Sequence, residues 1–523
     1  MITGVGETAA ASVAAGARAR PARATALLAG SLLLLAAAIT AAAWLSDDAY
    51  ITFRVVENAV AGRGLTWNPA ERVQAYTHPL WLFFLIAGRW LTGELFYTAM
   101  LLGIALSVAA AGLLGFRLPA QPATAALGVL ILTCSRAFVD YATSGLENPL
   151  TYLLLGLFLL AYLTRPPSER QILILSFLAA LLALNRSDAV LLVLPALGLA
   201  LWRRPTRRAV AMAALGLLPF ALWTLFSIFY YGFPFPNTAY AKLNTGVAPA
   251  DLARQGAAYL ANSARWDPIT PAVIGLALAL ALISRRATHL ALAAGVALYL
   301  LYIVRIGGDF MSGRFLAAPL LAATVIVVML ADGRLRRPAH HLAAAALVVA
   351  FGLAGYLPVW LAGNPSGDQA RRDGDIADER AYYRPHTGLL NPARTPHPWA
   401  EQGLELRAQG PAVVEHGNVG FLGYFAGPDV HIVDRNGLTD PLLARLPVRD
   451  PADWRIGHFR RNVPDGYVET LRGGQNRIAD PDLAAFYDAL AAITRGSLWD
   501  AGRWRAIWRM NTGAYDYLLP SGK

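Results

Sequence analysis

The chain has 523 residues, 56% of them hydrophobic, a mean hydropathy of +0.42 and only 15% charged, against about 25% charged in a typical soluble domain. Its formal net charge is +11, but residues 362–523 hold 19 Lys and Arg against 20 Asp and Glu, so the excess belongs to the first part of the chain. These values exclude a disordered chain, a coiled coil and an ordinary cytosolic enzyme, and they argue against a nucleic-acid partner.

Residues 1–24 are rich in Ala, Gly and Arg and read as a cytoplasmic N-terminal segment. The apolar run from Thr25 to Leu45 exceeds a signal-peptide core of about 7–15 residues and predicts an uncleaved first helix. Further apolar runs, most approaching the roughly 20 residues that cross a bilayer, continue to residue 361. Basic clusters at Arg165–Arg170, Arg203–Arg208, Arg285–Arg286 and Arg334–Arg337 separate them, as cytoplasmic loops would. Segments 185–188, 231–268 and 305–314 then fall outside. With only one crossing between residues 79 and 116, the count is about eleven spans. The run 79–92 is short, contains Arg89 and reads as a partial or tilted helix. Cys134, the only cysteine, permits no disulfide within the chain and no Cys/His metal spacing. In an apolar run it reads as a small core residue.

The tail, 362–523, is polar and rich in Gly and Pro. Val413–Glu415 and Val430–Val433 read as short strands, and 482–492 as helix. Alternation of this kind predicts a small α/β domain on the extracytoplasmic side.

Polar groups beside spanning helices are costly and often functional, and here they gather on the outer side. Asp47 and Asp48 follow the first helix, with Arg54 six residues on. One carboxylate could act as general base toward a sugar hydroxyl while the other anchors the loop or binds a divalent cation. The plain alternative is a solvated helix end. His78 before Pro79 could donate to a phosphate or cap the next helix. Glu147 stands at the start of a spanning run, and Arg186 and Asp188 could simply pair with each other. Arg305, Asp309 and Arg314 surround a Gly-rich turn that lacks the GK[ST] of a phosphate loop. Asn237 and Lys242 lie in a Pro-stiffened aromatic loop, and Lys242 is the only lysine before Lys523. Such a point charge suits a lipid phosphate. No internal symmetry or broken central helix supports a transporter.

The ordered strings DDAYITFR (47–54), LTWNP (65–69), YTHPLW (76–81), SGLE (144–147), PNT (236–238) and GGDFM (307–311), with IADER (376–380), DRNGLTDP (434–441) and WRIGHF (454–459) in the tail, resemble one family. It is the GT-C arabinofuranosyltransferase group of mycobacterial and corynebacterial cell walls, in particular the terminal β-1,2 transferases. The resemblance runs from about residue 44 to about 467. It implies a GT-C membrane domain at 25–361, with a first outer loop at 46–79, and an extracytoplasmic domain at 362–523. It implies transfer of a pentofuranose, D-arabinofuranose, from a polyprenyl-phosphate donor. The acceptor it implies is a cell-envelope glycan of the arabinogalactan or lipoarabinomannan type, outside the cytoplasmic membrane.

The expected catalytic residues are Asp47, activating the acceptor hydroxyl, and Asp48, orienting the loop or a metal. Arg54, His78, Lys242, Arg305 and Arg314 are the expected donor-phosphate ligands. Glu147, Arg186, Asp188, Asn237 and Asp309 would shape the sugar pocket. Glu415, His416, Asp434 and Asn436 are candidates for the acceptor, and Trp399 and Trp454 for stacking on sugar rings. No cofactor or metal is compelled. Two rivals are a non-enzymatic membrane protein organising a surface or motility assembly, and a lipid-linked sugar transporter.

Overall fold

A computed structural model describes residues 22–519, apart from 120, 244, 355–371, 374, 393 and 453. Residues 1–21 of the expected N-terminal segment, and the expected boundary at 361/362, lie outside the described residues. The chain divides into two compact units, each drawn from three stretches. The first comprises Met1–Leu45, Ala99–Phe220 and Leu252–Pro392; the second comprises Ser46–Thr98, Ala221–Asp251 and Ala393–Lys523. This partition differs from the expected division at residue 362. Residues 46–98 and 221–251 cluster with 393–523, and Phe233 of the second stretch lies in the core of that unit.

The first unit is a bundle of apolar helices. Ala22–Ala42 packs on Pro122–Cys134, Val190–Trp202 on Ala287–Ile306, and Ile269–Ser284 on Ala317–Ala331. Thirteen residues of Ala317–Ala331 are buried, making it the most enclosed of these helices. Close approach has a sequence cause at Gly295, where a Cβ would collide with the Leu192 carbonyl of the neighbouring helix.

Among the described residues four helices are long and apolar enough to span a membrane, or six if each of two bent pairs is one span. Five more apolar helices are shorter, including Pro79–Thr92. Among the described residues, several of the expected runs thus form helices shorter than a full span. Pro stands in the first turn of Pro79–Thr92, Pro122–Cys134 and Asn148–Thr164, where its missing N–H costs nothing. Residues 231–268, expected as loop, contain the helix Pro249–Trp266, bent by 109° from Ile269–Ser284.

The second unit carries the parallel strand pair Ala412–His416 and Val430–Asp434, in register from Ala412↔Val430 to His416↔Asp434. A parallel pair needs a crossover, and the helix Phe421–Ala426 lies in it. The core joins Phe233 to Val433, Leu442, Tyr467, Phe486, Leu490, Ile493 and Ile507.

Candidate active site

Ser46 caps the helix Asp47–Val60 by accepting from the Ala49 N–H. The expected carboxylate loop is thus the first turn of a helix, where its dipole favours acids. The two carboxylates then separate in role. Asp47 is 8% exposed, and its Oδ1 accepts from the Phe421 N–H at 2.6 Å. A side chain at Gly420 would run into the Asp47 backbone oxygen and carboxylate. Burial pushes the Asp47 carboxyl up to about 7 against the opposing pull of the Phe421 N–H. Asp48 is half-buried and forms no hydrogen bond or ion pair with the described residues.

Arg54, expected at a phosphate, is committed to the scaffold. Its guanidinium donates to the carbonyls of Trp67, Gly423 and Val430 and stacks 4.2 Å from the Trp67 ring centre. His78 bonds the Thr52 hydroxyl through Nε2 at 2.9 Å; it stands at the N-cap of Pro79–Thr92 without a side-chain cap bond. Arg89 of that helix pairs with Glu57 at 2.7 Å. Asn237, expected in the sugar pocket, ties its own loop instead. Its Nδ2 donates to the carbonyls of Gly437, Leu438 and Asp440, and its Oδ1 accepts from Arg445. Lys242 is exposed near the end of Asn237–Leu243.

The tail candidates divide similarly. Asp434 is fully buried and takes the backbone N–H groups of Asn436 and Thr439 at 2.9 and 3.0 Å. Burial raises its carboxyl to about 6. Asn436 donates to the Gly417 carbonyl. Both build the turn after the second strand. Glu415 is exposed and 3.6 Å from Arg435, and the His416 ring bonds the Asn418 backbone. Trp399 and Trp454 are half-buried, against His397 and Phe459 respectively.

The first unit gathers most of the expected sugar-pocket residues into one cluster. Arg186 donates to Glu147 at 2.8 Å and grips Asp188 through two nitrogens, at 2.8 and 2.9 Å. Arg314 reaches Glu147 at 3.3 Å and Asp309 at 3.6 Å. Asn185 secures the Glu147 carbonyl. Three acids thus face two guanidiniums, an arrangement able to donate to and accept from several hydroxyls at once. Arg305 lies apart, exposed in the last turn of Ala287–Ile306, with no hydrogen bond or ion pair to the described residues.

Several members escaped sequence reasoning. Tyr299 donates to Asp188 at 3.0 Å, and the Phe315 ring lies 4.4 Å under Arg186. Both sit in or beside apolar helices with no local signal. A second buried network joins Arg136 to Asp378 at 2.7 Å and Arg380 to Asp140 at 2.9 Å. Its signal was the IADER string, read only as family likeness. Among the described residues no three His, Cys, Asp or Glu side chains converge as metal ligands.

No family model matches the chain. It is 30% identical over 528 residues to the terminal beta-(1->2)-arabinofuranosyltransferase of Mycobacterium tuberculosis, covering 81% of this chain and 82% of that one. It is 28% identical over 376 residues to the protein of the same name from Corynebacterium glutamicum, covering 58% of this chain and 50% of that one. Among solved structures, ArnT from Cupriavidus metallidurans bound to undecaprenyl phosphate aligns with a TM-score of 0.48 at 15% identity, over 79% of this chain and 86% of that one. Arabinofuranosyltransferase AftD from mycobacteria aligns at 0.44 and 15% identity, over 89% of this chain and 34% of that one. By this extent of likeness to the Mycobacterium tuberculosis enzyme, the chain belongs to the terminal β-(1→2)-arabinofuranosyltransferase family.

Proposed function

We propose that the protein transfers D-arabinofuranose from a polyprenyl-phosphate donor to a cell-envelope glycan at the outer face of the cytoplasmic membrane. Its architecture in this reading is of the GT-C type, with about eleven crossings within 25–361 and residues 362–523 extracytoplasmic. The acceptor oxygen attacks the anomeric carbon, the bond to the donor phosphate breaks, and polyprenyl phosphate leaves. The acceptor proton goes to a carboxylate.

The observation carrying this reading is the Asp48 carboxylate, half-buried and without a hydrogen bond or ion pair among the described residues, beside a pinned Asp47. A general base needs a lone pair turned toward its substrate. Asp48 is the carboxylate without such a bond to the described residues, so in this reading Asp48 is the base and Asp47 its positioning residue, the reverse of the roles first expected. A carboxyl held at about 7 also suits a general base, which favours Asp47; its turn toward Gly420 and Phe421 weighs against it. Arg305 and Lys242 remain the candidates for the phosphate, whose departure needs positive charge. Glu147, Arg186, Asp188, Asp309 and Arg314 hold the sugar, and Glu415 and His416 remain candidates for the acceptor. No step requires a divalent cation.

The test is transfer by purified protein from polyprenyl-phosphoryl arabinofuranose to a short arabinan. Asp48→Asn should lower turnover by about 10²–10⁴-fold, and Asp47→Asn by less, with a lowered melting temperature. Full loss in Asp47→Asn with activity retained in Asp48→Asn would reverse the roles. Transfer only from another lipid-linked sugar would replace the substrate.

A further inference from the structure

The last helix of the second unit, Ala501–Asn511, has two unlike faces. Arg503, Ala506, Ile507 and Met510 are buried in the core. Trp504, Arg505, Trp508 and Arg509 point outward, and Trp508 is 73% exposed. Trp499, just before the helix, is 80% exposed. Large aromatics clustered at a surface mark an interaction site.

A neighbouring element indicates what covers them. Phe229 lies 5.1 Å from the Trp499 ring and 6.0 Å from that of Trp504. It belongs to the apolar helix Leu218–Tyr231. Leu218, Leu222 and Leu225 precede it on the same face, at spacings of about one turn, and all three are exposed. A row of outward leucines along an apolar helix that forms part of a candidate span is a lipid-facing stripe. The stripe runs directly into the tryptophans. Trp is favoured where hydrocarbon meets headgroups, and Arg side chains there reach lipid phosphates.

We propose that this face of Ala501–Asn511 seats in the membrane interface. Trp499, Trp504 and Trp508 lie at the headgroup–acyl boundary, and Arg505 and Arg509 engage the phosphates of anionic lipid. The tail is then held to the bilayer at its own C-terminal helix as well as through the chain that precedes it. This inference is independent of the transfer chemistry.

The test uses the full chain with Cys134→Ser, Trp508→Cys and an environment-sensitive dye on the new cysteine, in nanodiscs containing phosphatidylglycerol. A lipid carrying a nitroxide near the headgroup should quench the dye several-fold more than iodide in the aqueous phase does. A dye on Asp482→Cys, an exposed position elsewhere in the unit, should show the reverse. Trp499→Cys repeats the measurement at an independent site. Arg505→Gln with Arg509→Gln should weaken lipid quenching in anionic but not in zwitterionic nanodiscs. Quenching by iodide alone at 499 and 508 would overturn the proposal. So would protection by an arabinan oligosaccharide without lipid quenching, which would make the face a glycan platform.

Discussion

Asp47 shows how one side chain can be a chemical candidate and a structural fastener. The folded protein holds its proton up to about pH 7, the unfolded chain only to 3.8. Between those values the folded state binds more protons, so this contribution to stability is full below the unfolded value and is lost as pH rises through 7. Asp47→Asn removes the titration. Its melting temperature in detergent should fall less than that of the wild type between about pH 5 and about pH 8; parallel slopes would assign the dependence elsewhere. Gly420 is the other half of the seat. Gly420→Ala forces a methyl against Asp47 and should cost about 1–3 kcal/mol by overpacking, visible as a lowered melting temperature at every pH. The sequence marked the carboxylate pair, but it carried no sign of which member is held, because the holding N–H is 374 residues away.

Among elements, Arg186 joins the start of Asn148–Thr164 to the turn before Val190–Trp202 through Glu147 and Asp188. Its side chain is 11% exposed and that of Glu147 2%, so the charges are hardly screened. Arg186→Met would leave Glu147 to Arg314 but strand the buried Asp188 charge with only the Tyr299 hydroxyl, and breaking such a pair costs about 3–5 kcal/mol. Thermal unfolding should show that loss. Arg186→Met with Asp188→Asn should recover part of it, since the stranded charge is gone; full additivity would mean the pair is not coupled. The Arg186–Asp188 pairing was readable from spacing alone. The Glu147 and Tyr299 partners were not, because helix packing rather than local sequence brings them in. Arg54 and Asn237 illustrate the converse. Polar residues between apolar runs suggest ligands, yet theirs are backbone carbonyls that would otherwise be buried unpaired.

For the whole molecule, the sequence of the tail reads as a small α/β domain of its own. The second unit instead includes 46–98 and 221–251. Phe233 lies in its core, and Arg72 donates to the carbonyls of Ile493 and Gly496. An isolated 393–523 fragment lacks these and should show no cooperative melting by near-ultraviolet circular dichroism. A sharp transition would establish an autonomous domain.

By itself the sequence determined the membrane class, the two strands of the tail, the family likeness and the carboxylate pair. These depend on composition, short-range periodicity and contiguous strings. Only the tertiary structure decided which carboxylate is held, which arginines are scaffold, and which loops belong with the tail. Those outcomes depend on hydrogen-bond partners and packed side chains from distant parts of the chain, and their encounter is a property of the folded state.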